Sequence, residues 1–218
     1  MLKKTISLTL ATALLAGLVA HAQDPDTPPV GADEALERLI EGNERYRSDE
    51  PRDVGTSATL REETAGDQRP FAIVIGCADS RTAPEIVFDQ NLGDLFVVRT
   101  VANLVDDYAL GSIEYAVEHL GARLIVVLGH ERCGGVTTAL AGGPVSGHVQ
   151  ALVRDIQPAV DASRGRAGDP VANAVYENAS RIADKIRTEA ELGELASQIR
   201  VVAAYYDLEA GTVEWSQQ

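Results

Sequence analysis

The chain contains two cysteines, and each stands among other groups that bind metals or move protons. The first opens Cys77-Ala78-Asp79-Ser80-Arg81, directly after the apolar run Phe71–Gly76. The second lies in His130-Glu131-Arg132-Cys133-Gly134-Gly135, directly after the apolar run Leu124–Gly129. Two thiolates and an imidazole form a soft donor set that suits zinc. Three protein ligands leave a fourth position for water, as a catalytic zinc site requires. Cys77, His130 and Cys133 are therefore the candidate metal ligands, with the Asp79 carboxylate and the Arg81 guanidinium beside them. Arg81 can grip Asp79 in a forked pair and keep it off the metal. The competing reading of that pair is a surface salt bridge of little worth.

A convergence of these groups requires particular elements behind them. Phe71–Gly76 and Leu124–Gly129 are short, β-branched runs that read as buried strands. Leu95–Thr100 and Arg200–Tyr206 read as further strands, and Thr212–Trp215 after Ala210-Gly211 pairs with the latter as a hairpin. Between them, Ala109–Leu120, Gly134–Ala141, His148–Ala162 and Val171–Glu191 carry helical periodicity. Ala32–Ser48 reads as an amphipathic helix with Leu36, Leu39, Ile40 and Asn43 on one face and Asp33 near its start, and some helix is expected around Leu60–Thr64. Strands alternating with helices predict an α/β fold, a mixed sheet with a parallel core flanked by helices. In such sheets the carboxyl ends of the strands line the ligand crevice, which is where both clusters fall.

The ends and the charge narrow the setting. Lys3 and Lys4, the apolar Ile6–Ala20 and the small residues of Ala20-His21-Ala22 read as a secretory signal peptide over residues 1–22, with cleavage expected before Gln23. The alternative is a membrane anchor, but the run is short for a span. Residues 23–31, with three prolines, read as a flexible lead-in to a single domain over residues 32–218. Removing Lys3 and Lys4 leaves 17 basic against 33 acidic residues, a net charge of −16. That balance argues against nucleic acid or an anionic membrane surface as partner. Export with an even cysteine count also invites a Cys77–Cys133 disulfide. A disulfide gives no reason for His130 three residues before Cys133, or for Asp79 and Arg81 just after Cys77.

Cys-x-Asp-x-Arg followed about fifty residues later by His-x-x-Cys-Gly resembles the β-class carbonic anhydrases. Pro84-Glu85, Gly93–Arg99, Ala102-Asn103 and Ser112–Val117 extend the likeness, which runs from about Ala32 to about Trp215. The resemblance implies one Zn2+ per subunit on Cys77, His130 and Cys133, and a paired Asp79 and Arg81 as the catalytic dyad. It also implies a homodimer or higher even oligomer, with the Ala32–Ser48 arm packing on the partner subunit. A small pocket for CO2 or bicarbonate is implied on Gln68, Phe96 and Tyr115. Thr100 departs from the family at a place where many relatives carry Asn.

The reaction so implied is reversible hydration of CO2 to bicarbonate and a proton, by attack of zinc-bound hydroxide. Asp79 would orient that nucleophile, and the Gly134 backbone N–H, at a helix start, would take an anionic oxygen. One subgroup of the family closes at low pH when its Asp moves onto zinc, and holds bicarbonate near a Trp three residues before the first Cys. Here that position is Val74, and the chain's one Trp is Trp215, so Asp79 is expected on Arg81 rather than on the metal. Carbonyl sulfide or carbon disulfide hydrolysis, a structural zinc site completed by Asp79, and a dithiol redox protein are the rival readings. His119 and His148 read as helix-end residues, and Glu85, Asp89 and Asp94 stay open between site and structural roles. The expected location is exported, in the periplasm.

Overall fold

The computed structural model describes residues 29–52, 55 and 57–216. The expected signal peptide and most of the lead-in lie outside the described residues. The chain order is α1 (Ala32–Arg47), α2 (Ala58–Thr64), β1 (Ala72–Cys77), α3 (Pro84–Val87), β2 (Leu95–Thr100), α4 (Asp107–His119), β3 (Leu124–His130), α5 (Gly134–Ala141), α6 (Val149–Ser163), α7 (Pro170–Glu189), β4 (Arg200–Tyr206) and β5 (Val213–Trp215). A 3-10 turn, Val101–Asn103, follows β2, and another, Gly193–Gln198, precedes β4.

The strands form one five-stranded sheet in the order β2-β1-β3-β4-β5. β1 runs parallel to β2 and β3, and β3 parallel to β4; only β5 is antiparallel, as the hairpin partner of β4. Every residue of β1 and β3 is buried, because helices cover both faces of a parallel sheet. The two-residue period of each strand then divides the core. Ile73, Ile75, Ile125, Val127, Val201 and Ala203 face α4 and α7. Val74, Val126, Leu128, Val202 and Tyr206 face α1.

α1 lies on its own sheet through Ala35, Leu39, Gly42 and Asn43. Ile40, expected on that buried face, is 44% exposed. Gly42 is required where it stands: a Cβ there would lie 1.8 Å from the Phe88 carbonyl oxygen. Asn43 then ties the helix down, donating to the carbonyls of Val87 and Gly211 and accepting from the Val213 N–H. The one-turn helix α3, with Pro84 in its first turn, was not evident from periodicity because four residues carry no period. Strand ends also shift by one residue: Cys77 and His130 are the last residues of β1 and β3, not the first residues beyond them.

Candidate metal centre and active site

β1 and β3 are neighbouring parallel strands, so their last residues emerge side by side. Arg132 then takes a left-handed backbone conformation, φ 54°, which turns the chain back so that Cys133 caps α5. The result is a buried triangle in which the ligand atoms of Cys77, His130 and Cys133 all lie within 4.8 Å of one another. A tetrahedral zinc with bonds of about 2.0–2.3 Å needs donor separations of about 3.5–3.8 Å, which such a triangle can close on. Both cysteines are free thiols, so the disulfide reading is not realised.

The donors are prepared for a cation. His130 Nδ1 lies 2.9 Å from the Glu131 carbonyl oxygen, which places its proton on that nitrogen and leaves the Nε2 lone pair for the cluster. Nε2 is buried and has no hydrogen-bond partner. A buried nitrogen left unpaired is costly, and a metal ion would satisfy it. The two thiols perturb one another. Hydrogen bonding from Cys133 pulls Cys77 down to about 4 against the opposing effect of burial, with help from the backbone N–H groups of Asp79 and Ala102. Cys133 is correspondingly pushed up, first by Cys77 and then by burial. A cation held by the triangle would require both thiols as thiolates, so its binding would release protons.

Asp79 and Arg81 form the expected fork. Arg81 Nε donates to Asp79 Oδ1 at 2.9 Å, Nη2 to Oδ2 at 2.7 Å, and the Arg81 backbone N–H to Oδ1 at 3.0 Å. The Arg81 bond is the main reason that the Asp79 carboxyl is held well below the usual carboxylate range. Asp79 Oδ2 stands 4.0 Å from His130 Nε2, beside the triangle but engaged elsewhere. A closed four-ligand site using Asp79 would have to break this fork.

Two further supports hold the first cysteine, both within stretches that carry the family likeness. Arg99, on β2, donates from Nε to the Cys77 carbonyl at 2.8 Å and from Nη2 to the Asp79 carbonyl at 2.5 Å. The parallel register that sets Gly76 opposite Arg99 puts it there. The Val101–Asn103 turn crosses over the first thiol, and the Ala102 N–H donates to Cys77 Sγ at 3.3 Å. Ala102 and Asn103 both have left-handed backbone angles, φ 56° and 49°. Non-glycine residues accept that conformation at about 1–2 kcal/mol each. Thr100 makes a local bond of its own, its hydroxyl donating to the Leu104 carbonyl at 2.6 Å.

The expected pocket residues are not gathered at the triangle within one chain. Phe96 pairs in register with Ile73, four residues before Cys77, or about 13 Å along the strand. Gln68 is exposed in the loop before β1, and Tyr115 on α4 is 49% exposed with its ring 5.0 Å from His119. Gly134, by contrast, opens α5 directly behind Cys133, with open space around it. His119 ends α4 and His148 precedes α6, both exposed and outside the ligand triangle. Asp89 is buried and pairs with Arg45 and Arg52, a structural role. Asp94 accepts from the Asn91 N–H.

Residues 72–213 match the sequence profile of the family described as carbonic anhydrase. The chain is 38% identical over 198 residues to a carbonic anhydrase of Mycolicibacterium smegmatis, covering 87% of this chain and 94% of the relative. The chain belongs to the carbonic anhydrase family. Carbonic anhydrase 2 of Mycobacterium tuberculosis is 49% identical over 140 residues, 62% of this chain and 66% of that relative's length. Among solved structures, the β-carbonic anhydrase of Coccomyxa, in complex with acetazolamide, aligns with a TM-score of 0.68 and 27% identity over 83% of this chain and 85% of its own. One of two tetrameric β-carbonic anhydrases from Sordaria macrospora shares the fold, with a TM-score of 0.66 at 24% identity over 84% of this chain and 97% of its own. The chain thus has the mixed sheet and flanking helices of the β-class structures.

Proposed function

We propose that this protein catalyses the reversible hydration of CO2 to bicarbonate and a proton at a zinc ion held by Cys77, His130 and Cys133. The observation that carries the proposal is the buried Cys-His-Cys triangle with an unpaired His130 Nε2, set beside a carboxylate already held by Arg81. Zinc there would acidify a bound water and supply a nucleophile near neutral pH. The protein's own groups do the rest. Arg81 fixes the Asp79 carboxylate as an acceptor that can orient the proton of the attacking oxygen. Cys133 and Gly134 begin α5, whose amino-terminal N–H groups favour the negative charge of the product.

A homodimer is part of the proposal, supported by what one chain leaves open. β2 is a sheet edge whose Leu95, Phe96, Val97 and Val98 are only half-buried, flanked by exposed Val101, Tyr108 and Tyr115. An unpaired apolar edge is a template for another strand. Two copies of β2 pairing antiparallel about a two-fold axis between Val97 and Val98 would set Phe96 of each copy opposite Arg99 of the other. That brings the Phe96 end of one chain to the ligand end of its partner, where Gln68, Phe96 and Tyr115 would complete the CO2 pocket. The exposed side of α1 would then reach the second copy. Export through cleavage before Gln23, to the periplasm, is part of the same proposal. Intact mass of the secreted form tests it, and a retained Met1–Ala22 segment would refute it.

The deciding experiment measures metal content per chain together with stopped-flow CO2 hydration. One zinc per chain and rapid hydration are expected, and Cys133→Ser loses most of both. Full metal and activity in Cys133→Ser would overturn the site assignment.

A further inference from the structure

The buried stripe of α7 is apolar, Ala174, Val175, Ala179, Ile182, Ala183 and Ile186, with one exception. Asn178 stands in that stripe at 3% exposure. A buried amide among aliphatic side chains persists where it has a partner that needs it. Asn178 Nδ2 donates to the Ala102 carbonyl at 2.9 Å. Ala102 is the residue whose N–H donates to Cys77 Sγ. It is also the first of the two left-handed residues in the Val101–Asn103 turn. The turn is clamped from its other side by α5: a Cβ on Gly135 would lie 2.8 Å from Val101 Cγ1 and 3.3 Å from the Ala102 Cβ.

We propose that Asn178 is a positioning residue for the metal centre, holding Ala102 in its left-handed conformation so that the Ala102 N–H stays on the Cys77 sulfur. The inference rests on the zinc reading above. A hydrogen bond to a ligating thiolate spreads its charge and fixes its direction, and loss of such outer partners weakens metal binding by about 10–100-fold. Asn178 touches neither metal nor substrate. It acts through the backbone of Ala102, from a helix position 76 residues further along the chain.

The test uses the zinc-loaded protein and does not depend on its activity. Zinc transfer to a chromophoric chelator is timed for wild type, Asn178→Leu and the double variant Asn178→Leu/Ala102→Gly. The thiolate-to-metal charge-transfer band is recorded for the cobalt-substituted forms. Asn178→Leu should release zinc at least about tenfold faster and shift the cobalt band. Glycine adopts positive φ without strain, so Ala102→Gly in that background should recover much of the loss. A packing defect alone would not be relieved by removing a second side chain. Should Asn178→Leu not fold, Asn178→Asp keeps the volume, turns an oxygen toward the carbonyl and is read in the same way. Wild-type zinc release with an unmoved cobalt band in a folded variant would overturn the inference, as would a loss that Ala102→Gly leaves untouched. A wild-type chain that carries no zinc would overturn the zinc reading, and this inference with it.

Discussion

Arg99 binds the loop that starts at Cys77 by two carbonyls at once, donating from Nε to Cys77 at 2.8 Å and from Nη2 to Asp79 at 2.5 Å. One planar guanidinium thereby fixes the backbone at a metal ligand and at the carboxylate two residues on. Thr82 adds its hydroxyl to the same Asp79 carbonyl at 3.0 Å. The loop is held through its backbone, so the Asp79 side chain is aimed before Arg81 grips it.

This gives the first prediction. Arg99→Lys keeps the charge but cannot span both carbonyls, because an ammonium is a point donor without a fork. Zinc content should stay near one per chain while kcat/KM for CO2 hydration falls by about tenfold or more, the scale expected when a reacting group is misplaced. Unchanged kcat/KM in a zinc-loaded Arg99→Lys would show that the clamp does not matter to turnover.

Asp79→Asn should retain zinc and lose most turnover, since an amide cannot serve as the charged acceptor. Its stability should respond to pH in a defined direction. The folded pKa of Asp79 is depressed, so the ionised pair contributes stability above the ordinary carboxylate pKa of about 4 and loses it as pH falls further. Thermal melts between pH 6 and pH 3 should therefore show wild type losing more stability than Asp79→Asn. The difference should be small, because Arg81 is half-exposed. Parallel curves would mean that the fork contributes nothing to folding.

The pH profile of activity follows from Val74, which is fully buried in β1 where the closing subgroup carries Trp. Trp215 lies elsewhere, stacked on Phe88 with ring centroids 5.9 Å apart. Without that indole, bicarbonate is expected to gain no extra affinity for a closed state, and so not to shift the population toward it. CO2 hydration between pH 6.5 and 9 should fall with a shallow one-proton slope as pH drops, and added bicarbonate should not steepen it. A cooperative loss deepened by bicarbonate would sink this prediction.

The dimer is tested at the β2 edge. Val97→Lys puts a charge in the middle of that half-buried strand, a device that blocks edge pairing. Sedimentation should show a shift toward monomer. Activity should fall with it while zinc stays bound, because the ligand triangle belongs to one chain, whereas the proposed Gln68, Phe96 and Tyr115 pocket would draw on two. Full activity in a monomeric variant would place the pocket elsewhere.

The sequence by itself determined the parts of this protein that are written locally. Cys77, His130 and Cys133 could be named because each follows a strand-like run, and a parallel sheet delivers the ends of neighbouring strands to one place. The Asp79–Arg81 fork was legible because two residues after a strand is a short, stiff reach. The alternation of strands and helices gave the sheet and its parallel core. What tertiary structure alone decided depends on contacts between distant segments. Asn178 and Ala102 meet across 76 residues, and Arg99 meets Cys77 across 22, through helix packing and strand register that leave no local pattern. α1 buries Asn43 as expected but leaves Ile40 exposed, because Gly42 allows close approach on the Asn43 side and Asn43 finds three backbone partners there. Phe96 stands about 13 Å along the strand from Cys77, a separation set by β register. Residue types reveal which groups can do chemistry, whereas their separations in space are fixed only when the sheet and its covering helices close.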